Sequence, residues 1–427
     1  MTAKEKRKGF FLKLPIPEKP ENEIDQVLKE ALSKAIPLQV HRKTDYPPMN
    51  SQLAGIYSEL VQLRKTNKQQ LRKADRIKKH LDVIILDLWI AAKYYESPWR
   101  MISLNRNNYL NETRYRKIYL KYDLFKGVLD DLVSLGYVDK SKYFFSRTEG
   151  KSFQTRIKAN NKLLNFLDFD IKKIERDPEA PEEETVIKKD ENGKLIDYVD
   201  DRFDKKKREE LRNYNNLLRR TNINTDAIDL LYKYDPTCIT VKRIFNGESG
   251  GGRFYGGFWE NMPKADRKKL KINNEEVCEL DYSTLHPTIC YATKGIQLDG
   301  DAYTIEGCER NEVKKAFLIL FNCKSRKHAL NTMRSEFHIN DAESLLQKIE
   351  LKHSAIKNSF YNPPYGLFLQ RMDSNLAEKI INYFTLKGIP CLSIHDSFII
   401  AKSYESELRS VMEEVFYKSF HFKPKIK

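Results

Sequence analysis

Residues 277–292 read VCELDYSTLHPTICYA, and residues 388–401 read GIPCLSIHDSFIIA. In the first, Val277, Cys278 and Leu280 predict a short apolar strand that delivers Asp281 at its end. The spacing of Leu285, Ile289 and Ala292 then predicts a helix beginning near Ser283. In the second, Gly388 and Pro390 mark a turn, and residues 391–394 and 398–401 read as two strands. His395-Asp396 then sits at the tip of a tight β-hairpin. Taken singly, Asp281 is explained as a helix N-cap and Asp396 as a turn residue. Together they are two carboxylates 115 positions apart, each held at the end of an apolar strand, where a lone buried charge is costly. Such a pair suits two Mg²⁺ ions, roughly 3.5–4 Å apart, clamping the attacking and leaving oxygens of an in-line phosphoryl displacement. Mg²⁺ takes hard oxygen ligands and leaves positions for phosphates and water.

Residues 300–326, GDAYTIEGCERNEVKKAFLILFNCKSR, contain a predicted helix carrying Arg310 and Lys314 four positions apart on one face. A guanidinium fork and an ammonium on one face suit a triphosphate. An amphipathic helix with a basic exposed edge accounts for the same two residues. The glycines of NGESGGGRFYGGFWENMP (246–263) are not a phosphate-cradling P-loop, because no Lys-Ser or Lys-Thr follows. They read as a flexible turn leading to Arg253 and the aromatics Phe254, Tyr255, Phe258 and Trp259.

The 427 residues carry 76 Lys+Arg against 60 Asp+Glu, a surplus of +16 that points to a polyanionic partner such as nucleic acid. Membrane insertion is not expected: the longest apolar run, 83–92, is broken by Asp87 and is about half a span. The basic start, MTAKEKRKGFFLKLP, has no apolar core of a secretory signal. The six cysteines form no C-x-x-C and fit buried thiols in a reducing cytosol.

Four segments are expected. Residues 1–80 read as a basic helical leader, with prolines at 15, 17 and 20, a helical pattern over 21–35 and a strongly basic helix over 64–79. Residues 81–171 read as a winged helix-turn-helix-like domain. It has a buried helix (LDVIILDLWIAAKYY) and a second helix with Leu124, Val128, Leu132 and Leu135 on one stripe, stopped by Gly136. Two strand-like runs follow. Its duplex contacts would be Arg114, Arg116, Lys117 and Lys121, with Lys140, Lys142, Arg147, Arg156 and Lys158 on the wing. Winged helices also serve as structural or protein-binding modules. Residues 172–210, rich in charge and proline, read as a linker or insertion. Residues 211–427, which begin inside the basic run KKKREELRNYNNLLRR (205–220), hold the chemistry-bearing stretches; that run, the basic helix over 64–79 and the wing would hold a phosphate backbone.

In order along the chain, GGRFYGGFWENMP, LDYSTLHP, Gly300-Asp301-Ala302-Tyr303, Arg310-x-x-x-Lys314, LQRMDSNLAEKIINYF and SIHDSF resemble the palm and fingers of the family A DNA polymerases. They also resemble that family's relatives, the single-subunit phage-type RNA polymerases, although Asp-Tyr-Ser and the Gly-Arg…Asn-x-Pro segment lean towards the DNA enzymes. The fold class implied is α+β: a right-hand polymerase palm, an antiparallel sheet with helices, plus helical fingers. It implies that Asp281 and Asp396 hold two Mg²⁺ ions (Mn²⁺ as a substitute), with the Tyr282 carbonyl assisting. Arg310 and Lys314 would bind the triphosphate, with Lys314 protonating the leaving pyrophosphate. His286 and Asn322 would face the nucleotide, while Arg253, Asn261, Gln370 and His395 would touch primer or template. The implied partners are primer–template DNA and nucleoside triphosphates, and the implied setting is cytoplasmic and nucleoid-associated. The chain departs from the pattern at three places. Asn322-Cys323 stands where the family has Tyr-Gly, His286 stands where the DNA enzymes carry a ribose-excluding Glu, and the hairpin ends His-Asp-Ser as in the RNA polymerases. DNA synthesis is the favoured expectation. The alternatives are an RNA polymerase or primase-like enzyme of the same fold, or a catalytically inactive DNA-binding replication or regulatory factor.

Overall fold

Two hydrophobic cores organise the chain, one on each side of about residue 180. The computed structural model describes residues 28, 30–69, 71, 73–141, 144–146, 151–231, 233–247 and 250–427, with backbone alone at 144–146 and 151–153. The expected helix over 21–35 and wing residues Lys142 and Arg147 lie largely or wholly outside the described residues.

The first core is built on two amphipathic helices and what packs against them. In chain order the elements are β1 (Ile36–Pro37), β2 (Arg42–Lys43), α1 (Pro47–Thr66), α2 (Ala74–Tyr94), β3 (Arg100–Met101) and α3 (Tyr122–Ser134). There follow β4 (Val138–Lys140), β5 (Phe144–Ser146), β6 (Lys151–Phe153), β7 (Arg156–Ala159) and α4 (Asn161–Phe166). The apolar run of α2 is buried almost throughout, and Val128 and Leu132 of α3 are fully buried against it. Gly136, at φ +74°, takes the left-handed turn that ends α3. The strands form a sheet of order β1-β3-β7-β4, with β5 and β6 pairing as a hairpin beyond it.

The boundary expected at residue 80 falls inside α2, so the leader is not separate: Met49, Leu53, Ile56 and Leu60 of α1 are fully buried in the same core. Charge hid this. The basic run over 64–79 is two helix ends meeting at a break where Lys73 adopts φ +68°.

The second core begins within the stretch expected to be a linker. After β8 (Glu175–Arg176), which pairs with β2, comes β9 (Val186–Lys189), then α5 (Arg202–Arg220). β9 pairs in parallel with the later strand Lys242–Asn246, and Val186 is fully buried. Residues 172–210 are therefore part of the fold, and the boundary expected at 211 lies inside α5. Ion pairs do here what apolar residues usually do: Glu184 is shared by Arg114 and Arg208, and Asp204 takes Lys188.

The remaining elements are β10 (Ile223–Asn224), β11 (Lys242–Asn246), β12 (Gly250–Tyr255), α6 (Lys264–Arg267), β13 (Lys271–Ile272), β14 (Glu275–Asp281) and α7 (Leu285–Ala292). Then come α8 (Arg310–Asn322), α9 (Arg326–Ser335), α10 (Ala342–Lys352), α11 (Pro363–Leu386), β15 (Cys391–Ile394), β16 (Ser397–Ala401) and α12 (Glu405–Phe420). The central sheet has the order β10-β13-β14-β16-β15 and is antiparallel throughout. A second sheet has the order β12-β11-β9. The chain is thus α+β, with small sheets and many helices.

The glycine-rich segment is not a flexible turn: Gly250, Gly251 and Gly252 lie within β12. A Cβ on Gly250 would meet Leu367 Cβ at 2.9 Å, and one on Gly252 would meet Ser374 Oγ at 2.9 Å. The glycines are the space that lets α11 lie directly on β12.

A buried ionic knot joins the two cores. Arg42 binds Asp87 of α2 through one guanidinium nitrogen and Asp235 through another. Arg100 Nε donates to Asp87 at 2.9 Å, and the Tyr95 hydroxyl donates to Asp235 at 2.8 Å.

Candidate active site

The β14–β16 pairing sets Asp281 opposite Ser397, and the β15–β16 pairing sets Ile394 opposite the same Ser397. His395-Asp396 is therefore a two-residue turn, with His395 at φ +56°. The Tyr282 N–H donates to the Asp396 carbonyl at 3.2 Å, so the two Asp-bearing strand ends lie side by side. Burial, and then the neighbouring Asp396 carboxylate, push Asp281 up to about 6. The cations Lys427, Lys264 and Lys314 oppose that rise.

The hairpin is fixed from below. The Tyr214 hydroxyl of α5 donates to the Cys391 carbonyl at 2.7 Å, and Trp259 Nε1 donates to the Ser393 carbonyl at 3.1 Å. The Tyr282 hydroxyl donates to the Met412 carbonyl of α12 at 2.6 Å, tying down the end of β14. The Tyr282 side chain is thus structural, and any part it plays toward a cation falls to its backbone carbonyl. Two carboxylates and a carbonyl are hard oxygens, and the mutual repulsion on Asp281 is what a divalent cation would relieve, so this donor set fits Mg²⁺. Among the described residues, no group of three or more His, Cys, Asp or Glu has metal-holding geometry.

On α8, Arg310, Lys314, Leu318 and Asn322 recur every four residues and are all exposed, with Leu318 at 59 %. They form one stripe: two cations, then an apolar side chain, then an amide. Asp301 holds Arg310, its Oδ2 accepting from Nε at 3.0 Å and Nη2 at 2.8 Å. Tyr303, beneath Arg310, has its phenol pushed up by burial first and then by Asp396, Asp301 and Asp281. The stripe, Tyr303 and the acidic pair therefore border one region.

Arg253 and His286 are brought together, but on a buried acid. Asp373 of α11 accepts from Arg253 Nε at 3.0 Å and bonds His286 Nε2 at 2.8 Å. Burial would raise Asp373, but its bonds to His286 and Arg253 outweigh burial and hold it below the usual carboxylate range. The Arg253 side chain is only 19 % exposed, so its charge is engaged inside the protein. His395 packs edge-on to Tyr255 at 5.7 Å, and its imidazole is pushed down by burial and then by Arg253. Asn261 is exposed at the end of the 258–261 turn, and Gln370 is half-buried on α11. Neither bonds the Asp281–Asp396 pair among the described residues.

Asp301 and Asp373 fall within quoted elements of the sequence, but the pairing of Asp301 with Arg310 and of Asp373 with Arg253 and His286 was not expected. Asp373 had a usable signal, a lone acid between Leu369, Leu376, Ala377 and Ile380 on an otherwise buried helix face.

Many cations expected to face phosphate are neutralised internally. Lys207 is buried against Glu210 and Glu378, Arg208 pairs with Asp200 and Glu184, and Arg64 pairs with Asp131. Arg114 is taken by Glu184, Asp200 and the Tyr198 carbonyl. Arg202, Lys205, Lys206, Arg212, Arg219 and Arg220 stay exposed along α5, as do Arg116, Lys117 and Lys121.

A scan against protein-family models and a search of curated proteins both gave no match to this chain.

Proposed function

We propose that this chain is a template-directed nucleotidyltransferase with a family A-like palm and fingers, most simply a DNA polymerase extending a primer 3′ end. The observation that carries the reading is the pairing of Asp281 with Asp396 on adjacent strand ends, with Lys314 of α8 among the cations that bear on Asp281. In this reading β14, β15 and β16 are the palm, and α8 with its neighbours is the fingers.

The chain's residues divide the work. Asp281, Asp396 and the Tyr282 carbonyl would hold two Mg²⁺ ions. When bound, these ions lower the pKa of the primer 3′-hydroxyl and neutralise charge on the phosphates. Arg310 and Lys314 grip the triphosphate, and Lys314 gives a proton to the departing pyrophosphate. Leu318 offers an apolar surface to the base, and Asn322 an amide beside it. Arg253 and Asp373 brace the floor and hold His286. The region around α2, β3, α3, β4 and β7, in our reading winged-helix-like, and the exposed face of α5 hold the nucleic-acid backbone. The cytoplasmic, nucleoid-associated setting belongs to the same proposal.

His286 in place of a ribose-excluding Glu is the observation that favours the RNA-synthesising alternative. The test is a panel of dNTPs and NTPs, with and without primer, on a templated substrate in Mg²⁺. Primer-dependent dNTP incorporation is expected, and unprimed NTP incorporation would move the reading to a primase or RNA polymerase. Binding of DNA with no incorporation of any nucleotide would contradict the enzyme reading and leave a DNA-binding factor.

A further inference from the structure

Residues 425–427 lie along β14 at the end that carries Asp281. β13 pairs only with the start of β14, through Lys271–Glu276 and Ile272–Glu275, which leaves the edge beside Asp281 to another segment. The 425–427 segment fills it through an isolated bridge. The Asp281 N–H donates to the Lys427 carbonyl at 3.0 Å, and the Lys427 N–H donates to the Asp281 carbonyl at 3.1 Å. The Ser283 N–H donates to the Lys425 carbonyl at 2.7 Å, and Tyr282 bridges to Ile426. Arg409 Nη1 holds the Ile426 carbonyl at 3.2 Å, and the Ile426 side chain packs on the core. Lys425 and Lys427, flanking Ile426, are exposed. Lys427 Nζ stands 3.8 Å from Asp281 Oδ2, with side-chain exposures of 53 % and 25 %.

We propose that Lys427 is a built-in counter-ion for Asp281, standing against the carboxylate when no divalent cation is bound and yielding when one arrives, while the 425–427 backbone keeps Asp281 aimed. This rests on the reading of Asp281 and Asp396 as a metal pair. Lys427 is a positioning residue and touches no reacting atom. An ammonium so close to Asp281 repels an incoming divalent cation, so removing it strengthens divalent binding. For a half-exposed pair the effect is roughly five-fold at low ionic strength, shrinking as salt screens it.

The test is Mn²⁺ binding to the full chain without nucleotide, followed by the electron paramagnetic resonance signal of free Mn²⁺. The parent chain is compared with Lys427→Met, with Lys423→Met as a charge control, and with Asp281→Asn. The parent binds Mn²⁺ and Asp281→Asn loses that binding. Lys427→Met binds roughly five-fold tighter at low ionic strength, and Lys423→Met is unchanged. Hydrogen-exchange protection of the Asp281 and Ser283 amides persists in Lys427→Met. Affinity unchanged or weakened in Lys427→Met, an equal gain in Lys423→Met, or loss of amide protection overturns the counter-ion role, while Asp281-dependent binding keeps the metal reading. Equal Mn²⁺ binding by the parent and Asp281→Asn instead removes the metal reading, and this proposal with it.

Discussion

Glu260 shows how a single half-buried acid ties the stability of the 257–261 turn to pH. Its Oε1 accepts the Gly257 N–H at 3.1 Å, and burial pushes the carboxyl up from 4.5 to about 7. A raised folded pKa means that the fold prefers the protonated acid. The stability it contributes is fully present below about 4.5 and is lost as pH rises through about 7. Glu260→Gln removes this component. Urea unfolding at a series of pH values is expected to show the parent chain losing at most about 3 kcal/mol more than the variant between pH ~5 and ~8. Parallel pH profiles would contradict it. At this scale the sequence revealed the residues whose neighbours announce them: Asp281 and Asp396 each end an apolar strand. The roles of Asp373 and Asp301 were not legible, because they lie in partners on other elements, Arg253 and His286 for one and Arg310 for the other.

The seam between β12 and α11 depends on absent side chains. Gly252→Ala places a methyl 2.9 Å from both Phe245 and Ser374 at φ +93°, so strain and overpacking add. A loss of roughly 2–4 kcal/mol in denaturant unfolding is expected. A loss under about 0.5 kcal/mol, the usual surface effect, would contradict that packing. Helix α5 divides its cations by face. If the proposed nucleic-acid binding holds, Arg212→Ala on the exposed face reduces its salt slope by about 1 without loss of stability. Lys207→Met, which strips a buried partner from Glu210 and Glu378, should lower stability instead. The reverse pattern would contradict the assignment of faces. Strands, helices and the hairpin were legible where apolar period and turn residues agreed, as in β14, β15, α3 and α8. β9 was not, because the ion pairs that hold its surroundings leave no hydrophobic periodicity to read.

At the scale of the molecule, the two cores are joined by Arg42, Asp87, Arg100 and Asp235, contributed from widely separated points in the chain. Arg42→Met leaves Asp235 without its guanidinium and should cost about 3 kcal/mol. Calorimetry should then show the single transition separating into two as the cores uncouple, whereas one unbroken transition at the parent temperature would contradict the joint. The same view sharpens the +16 surplus. Much of the basic charge is bound to acids within the fold, while exposed cations line α5 and the stretch before α3. In the proposed function, Asp281 and Asp396 act together at a phosphoryl-transfer centre. That claim is tested most directly by single-turnover extension of a labelled primer in Mg²⁺ by the parent chain, Asp281→Asn and Asp396→Asn, with folding checked by circular dichroism. The account predicts extension by the parent chain and at least a roughly 10³-fold loss in each folded variant. Extension at the parent rate by either variant would contradict it.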